Sequence, residues 1–395
     1  MKVVLAYSGG LDTSIAVSVL KEKYDAEVIT VLVDLGQPRE EIQDAEERLK
    51  ELGVLKHHNI DARREFVNDY IFPAIKGNLQ HEDCYITPTL ARPLIALKIV
   101  EIAQKEGAPA VAHGATERGN DQFIYEYVFQ MMAPELKILT PIRDQGFTRG
   151  EEAEYAREHG IPLPEGYERT RYAVDVNIYG RAVCGGPLED LNIEPEEEIY
   201  DLTKSPEDAT DESEEMSIGF EKGCPVSLNG EKMDGVKLIS AVGKIAGAHG
   251  VGRGDVIHQR LLGIKTRSII EAPAAVVLIQ AHRELEKLVL TGDELEFKDE
   301  VDKKLSSLAH DGLWFYPLTE DLFAFVEKSQ EAVTGEVTLK LYKGNARVVK
   351  KESPYAIYDR EVASYEAKGL SPEDVAGMTR LHGMRARLYR KKEKR

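Results

Sequence analysis

Cysteine is scarce in this chain. Cys84, Cys184 and Cys224 are three residues among 395 and form no CxxC pair, so a disulfide framework or a zinc site is not expected and a reducing cytoplasm is. Positive charge is short as well: 51 Lys and Arg stand against 69 Asp and Glu, a formal net charge of −18. A surface that acidic repels phosphate backbones, which argues against nucleic acid as a partner. Anionic ligands must then be held by local donors rather than by a global field. No apolar run approaches a membrane span, and the first apolar strand begins almost at Met1, so neither a membrane segment nor a signal peptide is expected. With 42% hydrophobic and 30% charged residues, the composition is that of a soluble globular protein with room for two domains, or for one large domain with an appendage.

Apolar patterning then supplies an order of elements. Lys2–Tyr7 is a short buried-strand run ended by Ser-Gly-Gly, and Ile15, Val19 and Leu20 recur at helical spacing after Asp12. EVITVLVDLG reads as a second buried strand and Glu40–Leu52 as a charged surface helix. ARPLIALKIVEIAQKEG reads as a helix, APAVAHG as a strand, and LKILTPIRD closes the unit. Strand, helix, strand at this spacing indicates a parallel sheet with ligands beyond the strand C-termini. Past IPLPEGY the character changes. The acidic stretch Glu194–Glu215 reads as an exposed loop, ordered where it touches a neighbour. SIGFEKGCPVSLNG and VTLKLYKGNARVVKK read as hairpins, and Val236–His249 and Ala281–Leu290 as helices. The expected organisation is a nucleotide-binding domain over 1–165, a mixed α+β catalytic and multimerisation domain over 166–365, and a C-terminal tail or oligomerisation arm over 366–395.

The strongest local signal lies between the first strand and its helix: Ala6, Tyr7, Ser8, Gly9, Gly10, Leu11, Asp12, Thr13 and Ser14. Paired glycines let the backbone turn tightly and approach an anion without a Cβ in the way. Backbone N–H groups and the following helix N-terminus form an anion nest, to which the hydroxyls of Ser8, Thr13 and Ser14 add donors. The loop has no lysine, so Mg²⁺ or basic side chains elsewhere must neutralise a triphosphate. A plain glycine turn is the bland alternative; its place between strand and helix favours nucleotide binding. SGGLDTS resembles the pyrophosphate loop of the ATP-pyrophosphatase superfamily, whose members split ATP between the α and β phosphates and pass AMP to a carbonyl oxygen. The fold class implied is α/β, with an N-terminal parallel-sheet nucleotide-binding domain of that type, an α+β domain and a C-terminal arm.

A second motif, His113-Gly-Ala-Thr-Glu-Arg-Gly-Asn-Asp-Gln122, follows APAVA. With LARP at Leu90–Pro93, HGVGR at His249–Arg253 and the spaced set Gly263, Lys265, Arg267, Glu271 and Pro273, it resembles the argininosuccinate synthase family across nearly the whole chain. The resemblance implies that Ala6–Ser14 and Gly114 contact ATP, with Asp12 and Arg118 in catalytic positions, while Thr116, Asn120 and Asp121 hold aspartate. That suits the chemistry, since carboxylates need hydroxyl and amide donors and an ammonium needs a carboxylate. On spacing alone, Asn120-Asp121 would read as an Asx turn. The family's Gly-Lys-Gly is Glu117-Arg118-Gly119 here, which keeps a cation but adds a carboxylate in need of a partner. The family also assembles as a homotetramer with exchanged C-terminal segments.

The resemblance breaks at the third substrate. The family holds citrulline through a tyrosine, an arginine, two serines, a glutamate and a second tyrosine. Tyr85 keeps the first; the others fall on Ile124, Ala173, Ala182, His258 and Ile270. Five polar contacts have become four apolar residues and a histidine. Each polar group left without a partner costs about 1–3 kcal/mol, and full charges more. Three readings stand at this point. In one, the chain still couples ATP to aspartate but takes a less charged or larger carbonyl acceptor. In another, it uses citrulline in a repacked pocket, with Ile124 and Ile270 as core residues and His258 on the surface. A non-catalytic nucleotide or aspartate sensor is a third, although the loop hydroxyls and Asp12 are retained.

Overall fold

The computed structural model describes residues 1–117, 119–147, 149–162, 172–366 and 369–393. Arg118 and the expected boundary at 165/166 therefore lie outside the described residues. Five parallel strands, β1 (Lys2–Ala6), β2 (Glu27–Asp34), β3 (Lys56–Asp61), β4 (Ala110–Ala112) and β5 (Lys137–Leu139), form a sheet of order β3-β2-β1-β4-β5. The inner strands are continuous apolar runs because helices cover both faces of the sheet. Val3, Val4 and Leu5 are fully buried, with the Leu11–Tyr24 helix on one side and Arg92–Glu106 on the other. β3 (KHHNID) escaped the sequence reading because, as an edge strand, it is polar and largely half-exposed. The chain builds outward from β1 through β2 to β3, then returns to place β4 beside β1, with Val3 opposite Ala110 and Leu5 opposite Ala112. The loops after β1 and β4 thus leave from neighbouring strand ends, the switch point where α/β sheets bind ligands.

The rest of the chain adds two antiparallel sheets. One, from β6 (Ala173–Asn177), β7 (Gly180–Cys184), β11 (Arg253–Gln259) and β12 (Lys265–Glu271), runs β11-β12-β7-β6. The other, from β8 (Glu214–Glu221), β9 (Cys224–Leu228), β10 (Glu231–Lys232), β13 (Gly335–Tyr342) and β14 (Asn345–Glu352), runs β10-β9-β8-β13-β14. It contains both expected hairpins. The amphipathic helices Gly235–Ala248 and Pro273–Val289 fill the space between, burying Leu238, Val242, Leu278 and Leu285. A single apolar cluster runs from Val4 and Ile29 through these helices to Val337 and Leu339, so the sheets share a core.

The acidic stretch after Glu194 is anchored rather than loose. The carboxylate of Glu271, 1% exposed, accepts from the N–H groups of Asp201, Leu202 and Thr203 at 3.0, 2.9 and 2.9 Å, and from Thr203 Oγ1 at 2.7 Å. Arg181 completes the set at 3.1 Å. Arg253 of the HGVGR motif donates to the carbonyl and hydroxyl of the same threonine and lies over the Tyr200 ring. These two motif positions therefore position a segment. Beyond Asp359 the helices Pro372–His382 and Met384–Glu393 expose Met378, Leu381, Leu388 and Tyr389.

Candidate active site

β1 stays in register to its end, where Tyr7 N–H bonds Val31 O at 2.9 Å; the chain then turns. Gly9 has φ +81°, and a Cβ there would sit 2.4 Å from the Cβ of Ala45, so only glycine fits. Gly10 precedes the Leu11–Tyr24 helix with no side-chain cap, which leaves helix N–H groups for an anion. Its own N–H bonds Ser8 Oγ at 3.3 Å, and its carbonyl accepts from Thr13 Oγ1 at 3.2 Å and Ser14 Oγ at 2.9 Å. Ser8 and Thr13 hydroxyls lie 3.3 Å apart. Ala6, Leu11 and Ser14 are buried and anchor the turn, whereas Ser8 is exposed and Asp12 and Thr13 half-buried. Tyr7 is buried, its phenol 3.3 Å from Ser14 Oγ, and burial raises its pKa so that it stays protonated. Arg48, on the Arg39–Leu52 helix, brings its Nη2 within 3.5 Å of the Gly9 Cβ direction. It is the nearby cation the loop itself lacks; its sole sequence signal was a basic residue on a helix read as surface.

The second motif packs directly on this loop. A Cβ on Gly114 would meet Thr13 Cγ2 at 2.9 Å and its Cα at 3.3 Å. His113 is fully buried, stacked on Tyr125, with Nδ1 accepting from Ala115 N–H at 3.2 Å. Gln122 ties the connection by donating to the carbonyls of Glu117 and Gly119 at 2.6 and 3.3 Å. Thr116 and Asn120 are half-buried. Asn120 does not form an Asx turn. Its Oδ1 accepts from Leu261 N–H at 2.9 Å, and its Nδ2 stands 3.5 Å from His310 Nε2.

Asp121 opens the Asp121–Met132 helix and is joined to the second half of the chain by Arg92. That guanidinium donates through Nε to Asp121 Oδ2 at 2.9 Å and through Nη2 to Asp175 Oδ1 at 2.5 Å. LARP served the sequence reading as a family anchor; the structure shows why its arginine is there. Asp175 lies on β6, and strand register identifies its neighbours. Asp175 is opposite Ala182, and Ala182 opposite Ile270. One step along, Ala173 is opposite Cys184, then Ser268 and Val256. His258 faces Thr266 in the next row. Opposed residues, and those two apart, share a face, so Ala173, Ala182, Ile270, His258 and Asp175 all occupy one side of the β11-β12-β7-β6 sheet.

The expected acceptor positions differ in exposure. Ala173 is exposed and Ala182 half-buried, while Ile270 is 5% exposed. Ile124 is fully buried against Gly312, where a Cβ would meet Ile124 Cγ1 at 2.5 Å. Tyr85 is half-buried, with Gln80 hydrogen-bonding its phenol. His258 is half-buried, its Nε2 3.1 Å from Ser268 Oγ. Burial and the neighbouring His310 and Arg260 lower its pKa to about 4.

Comparison with known proteins identifies the family. Residues 2–162 match the family described as arginosuccinate synthase N-terminal HUP domain, and 172–389 the arginosuccinate synthase C-terminal domain. Curated relatives named argininosuccinate synthase include those of Methanocaldococcus jannaschii, 52% identical over 99% of this chain and 98% of the relative, and Methanococcoides burtonii, 51% identical over 99% and 98%. That of Archaeoglobus fulgidus is 50% identical over 99% of each. The chain belongs to the argininosuccinate synthase family.

Proposed function

We propose that this ATP-dependent ligase activates an acceptor's carbonyl oxygen as an adenylate and then joins the carbon to aspartate. In the first step the oxygen attacks the α-phosphorus and the bond to pyrophosphate breaks. In the second, the aspartate nitrogen, having shed a proton, attacks the activated carbon; a C–N bond forms and AMP leaves with the oxygen. No protein nucleophile is needed, so the site acts by positioning and by stabilising phosphate charge.

ATP is assigned to Ala6–Ser14 with Gly114, supported by the glycine turn and its hydroxyls. Magnesium would arrive on the triphosphate and neutralise its charge, with Asp12, Ser8 and Thr13 the adjoining oxygen donors; among the described residues no three His, Cys, Asp or Glu side chains converge on a metal position. Aspartate is assigned to Thr116, Asn120 and Asp121, and Arg118 to the phosphates. One observation carries the reading most: the Gly114 loop touches Thr13 while Arg92 links Asp121 to the Asp175 sheet face. These contacts support assigning the phosphate, amine and acceptor surfaces to one site. The exposed apolar side chains after Asp359 support packing of this arm on further copies, as in a homotetramer.

The acceptor is proposed to differ from citrulline. On the sheet face His258 stands where the resemblance places the carboxylate that would meet an ammonium, Ala173 and Ala182 stand where it places hydroxyls, and Asp175 is already engaged by Arg92. Citrulline itself is the second reading, favoured by the burial of Ile124 against Gly312 and by the relatives' name. Release of AMP and pyrophosphate from ATP and aspartate, measured with citrulline and with a panel of ureido, amide and lactam compounds, decides between them. Turnover on a panel compound with poor use of citrulline is expected. Efficient citrulline turnover would overturn the acceptor reading, and no AMP with any compound would overturn the ligase reading.

A further inference from the structure

We propose that His81, His258 and His310 form the surface that recognises the acceptor, and that they select one whose non-reacting end is planar and uncharged instead of a zwitterionic α-amino acid. The inference rests on the ligase reading above and names the substrate class.

Three of the chain's ten histidines meet here from three separate elements. His81 stands in a turn closed by paired backbone bonds to Cys84, each 2.9 Å. His258 comes from β11, and His310 is the last residue of the Gly292–His310 helix, which a Thr291–Glu294 capping box starts. The His81 and His310 rings stack, centroids 3.9 Å apart and 14° from parallel, while His258 meets His310 edge-on at 6.0 Å and 88°. His258 shares its sheet face with Ala173, Ala182 and Ile270, and His310 touches Asn120. The cluster thus spans from the residues assigned to aspartate to those assigned to the acceptor.

Hydrogen bonds fix what this wall offers. Asp311 Oδ1 lies 3.1 Å from His310 Nδ1; an ionised carboxylate only accepts, so Nδ1 carries the proton. Leu261 N–H requires the oxygen of Asn120 on its own side, which turns the amide nitrogen toward His310 Nε2. His258 Nε2 pairs with Ser268 Oγ, and Glu82, a carboxylate neighbouring His81 and His258, accepts from Gln259 N–H at 2.6 Å. Burial first, then His310 and, for His258, Arg260, lower the pKa of His81 and His258 and keep both neutral at neutral pH. The wall therefore presents aromatic faces, with neutral hydrogen-bonding atoms at His81 and His258 and Arg260 as the cation beside them. An ammonium finds no carboxylate at position 258, and the neighbouring cation, Arg260, already donates to Thr266 Oγ1 at 3.2 Å. A planar neutral group loses nothing on entering and stacks on the imidazoles. The stacked pair turns ring faces toward each other, so it does not converge nitrogens on a metal.

The test uses the full-length enzyme with ATP, aspartate and three probes, phenylurea, benzamide and 2-pyridone, beside citrulline. AMP formation is followed, and the imidazole Cε1–H signals are followed by NMR. At least one probe should support AMP formation or shift the three imidazole signals more than citrulline does. His81→Ala should raise that probe's KM, or its dissociation constant, by about threefold to tenfold, and His258→Glu should do the same while improving citrulline. Should His81→Ala fail to fold, His81→Phe serves, since it keeps the stack and should retain the probe. A probe turned over with constants indifferent to both variants would overturn the histidine assignment and leave the ligase reading standing. Neither turnover nor shift with any probe would overturn the proposal, whatever citrulline does.

Discussion

Replacing Gly9 by alanine tests the phosphate loop at the atom where it is tightest. The new Cβ would lie 2.4 Å from Ala45 Cβ and 3.0 Å from Ala45 Cα, against about 3.5–4.0 Å for an ordinary carbon contact. Ala45 cannot yield freely: it is fully buried, and Leu49 and Leu52 of the same helix are set in the core. The φ of +81° adds about 1–2 kcal/mol for a residue with a Cβ, and the overlap adds about 1–3 kcal/mol. Gly9→Ala should therefore cost about 2–5 kcal/mol, shared between lower stability and a loop displaced from the phosphates. Pyrophosphate release at varied ATP gives the KM, and melting with and without ATP gives the stability. Ala45→Gly removes the nearer clashing atom at about 1 kcal/mol in helix propensity. The double variant should then recover about 1–2 kcal/mol of the steric share and none of the dihedral share, a positive coupling. Unchanged ATP KM and melting in Gly9→Ala, or no coupling to Ala45→Gly, would refute the argument.

Three other outcomes are expected. Arg92→Leu strips Asp121 and Asp175 of their shared partner and should raise the aspartate KM by about tenfold or more with little effect on that for ATP; equal changes in both would make Arg92 a general fold support. Glu271→Gln turns an acceptor into a donor against N–H groups at 2.9–3.0 Å, so it should cost about 2–4 kcal/mol and speed amide exchange at Asp201–Thr203, and unchanged exchange there would refute the anchoring role. His258 should contribute a pH slope. Between about 4 and the ordinary 6.5 the unfolded chain binds a proton at this ring that the folded chain does not, so stability rises with pH across that window and is fully gained above it. Melting from pH 4 to 7 should show a shallower rise in His258→Gln, and an identical profile would place the ring in ordinary solvent.

What the sequence made legible follows from how each feature is encoded. β1 and β2 were readable because helices on both faces demand unbroken apolar runs, and the two hairpins because their turns demand particular residues. β3 was not, since an edge strand has no such demand. The glycine turn after β1 was readable for a related reason: only glycine tolerates the approach of Ala45 to Gly9. Arg92, Asp175 and Arg48 were named at most as motif letters, because pairing across 83 residues, as from Arg92 to Asp175, leaves no local pattern. Likewise His81 and His310 look like isolated polar residues until the helix ending at His310 is folded against the turn before Cys84. His258 reads in the sequence as a surface histidine, but its edge-on partner, His310, comes from elsewhere in the chain.

The same distinction bears on the proposal that the site keeps its ATP and aspartate surfaces and alters the third. ATP is assigned to a cradle shaped by backbone, where Gly9 and Gly114 each have another residue pressed into the space of a Cβ; change there moves the main chain. The acceptor is assigned to a sheet face whose backbone bonds are indifferent to the side chains they carry. Register keeps Ala182 between Asp175 and Ile270 whatever occupies those positions. Exchanging hydroxyls for methyls or a carboxylate for imidazole on that face alters charge and shape while leaving the strands paired. Arg92 separates the two regimes: it crosses from the Asp121 helix to Asp175 and so holds the sheet face at a constant place relative to the phosphate loop. A change in acceptor is therefore expected to be written in side chains on the far side of Arg92, which is where Ala173, Ala182, His258 and Ile270 stand.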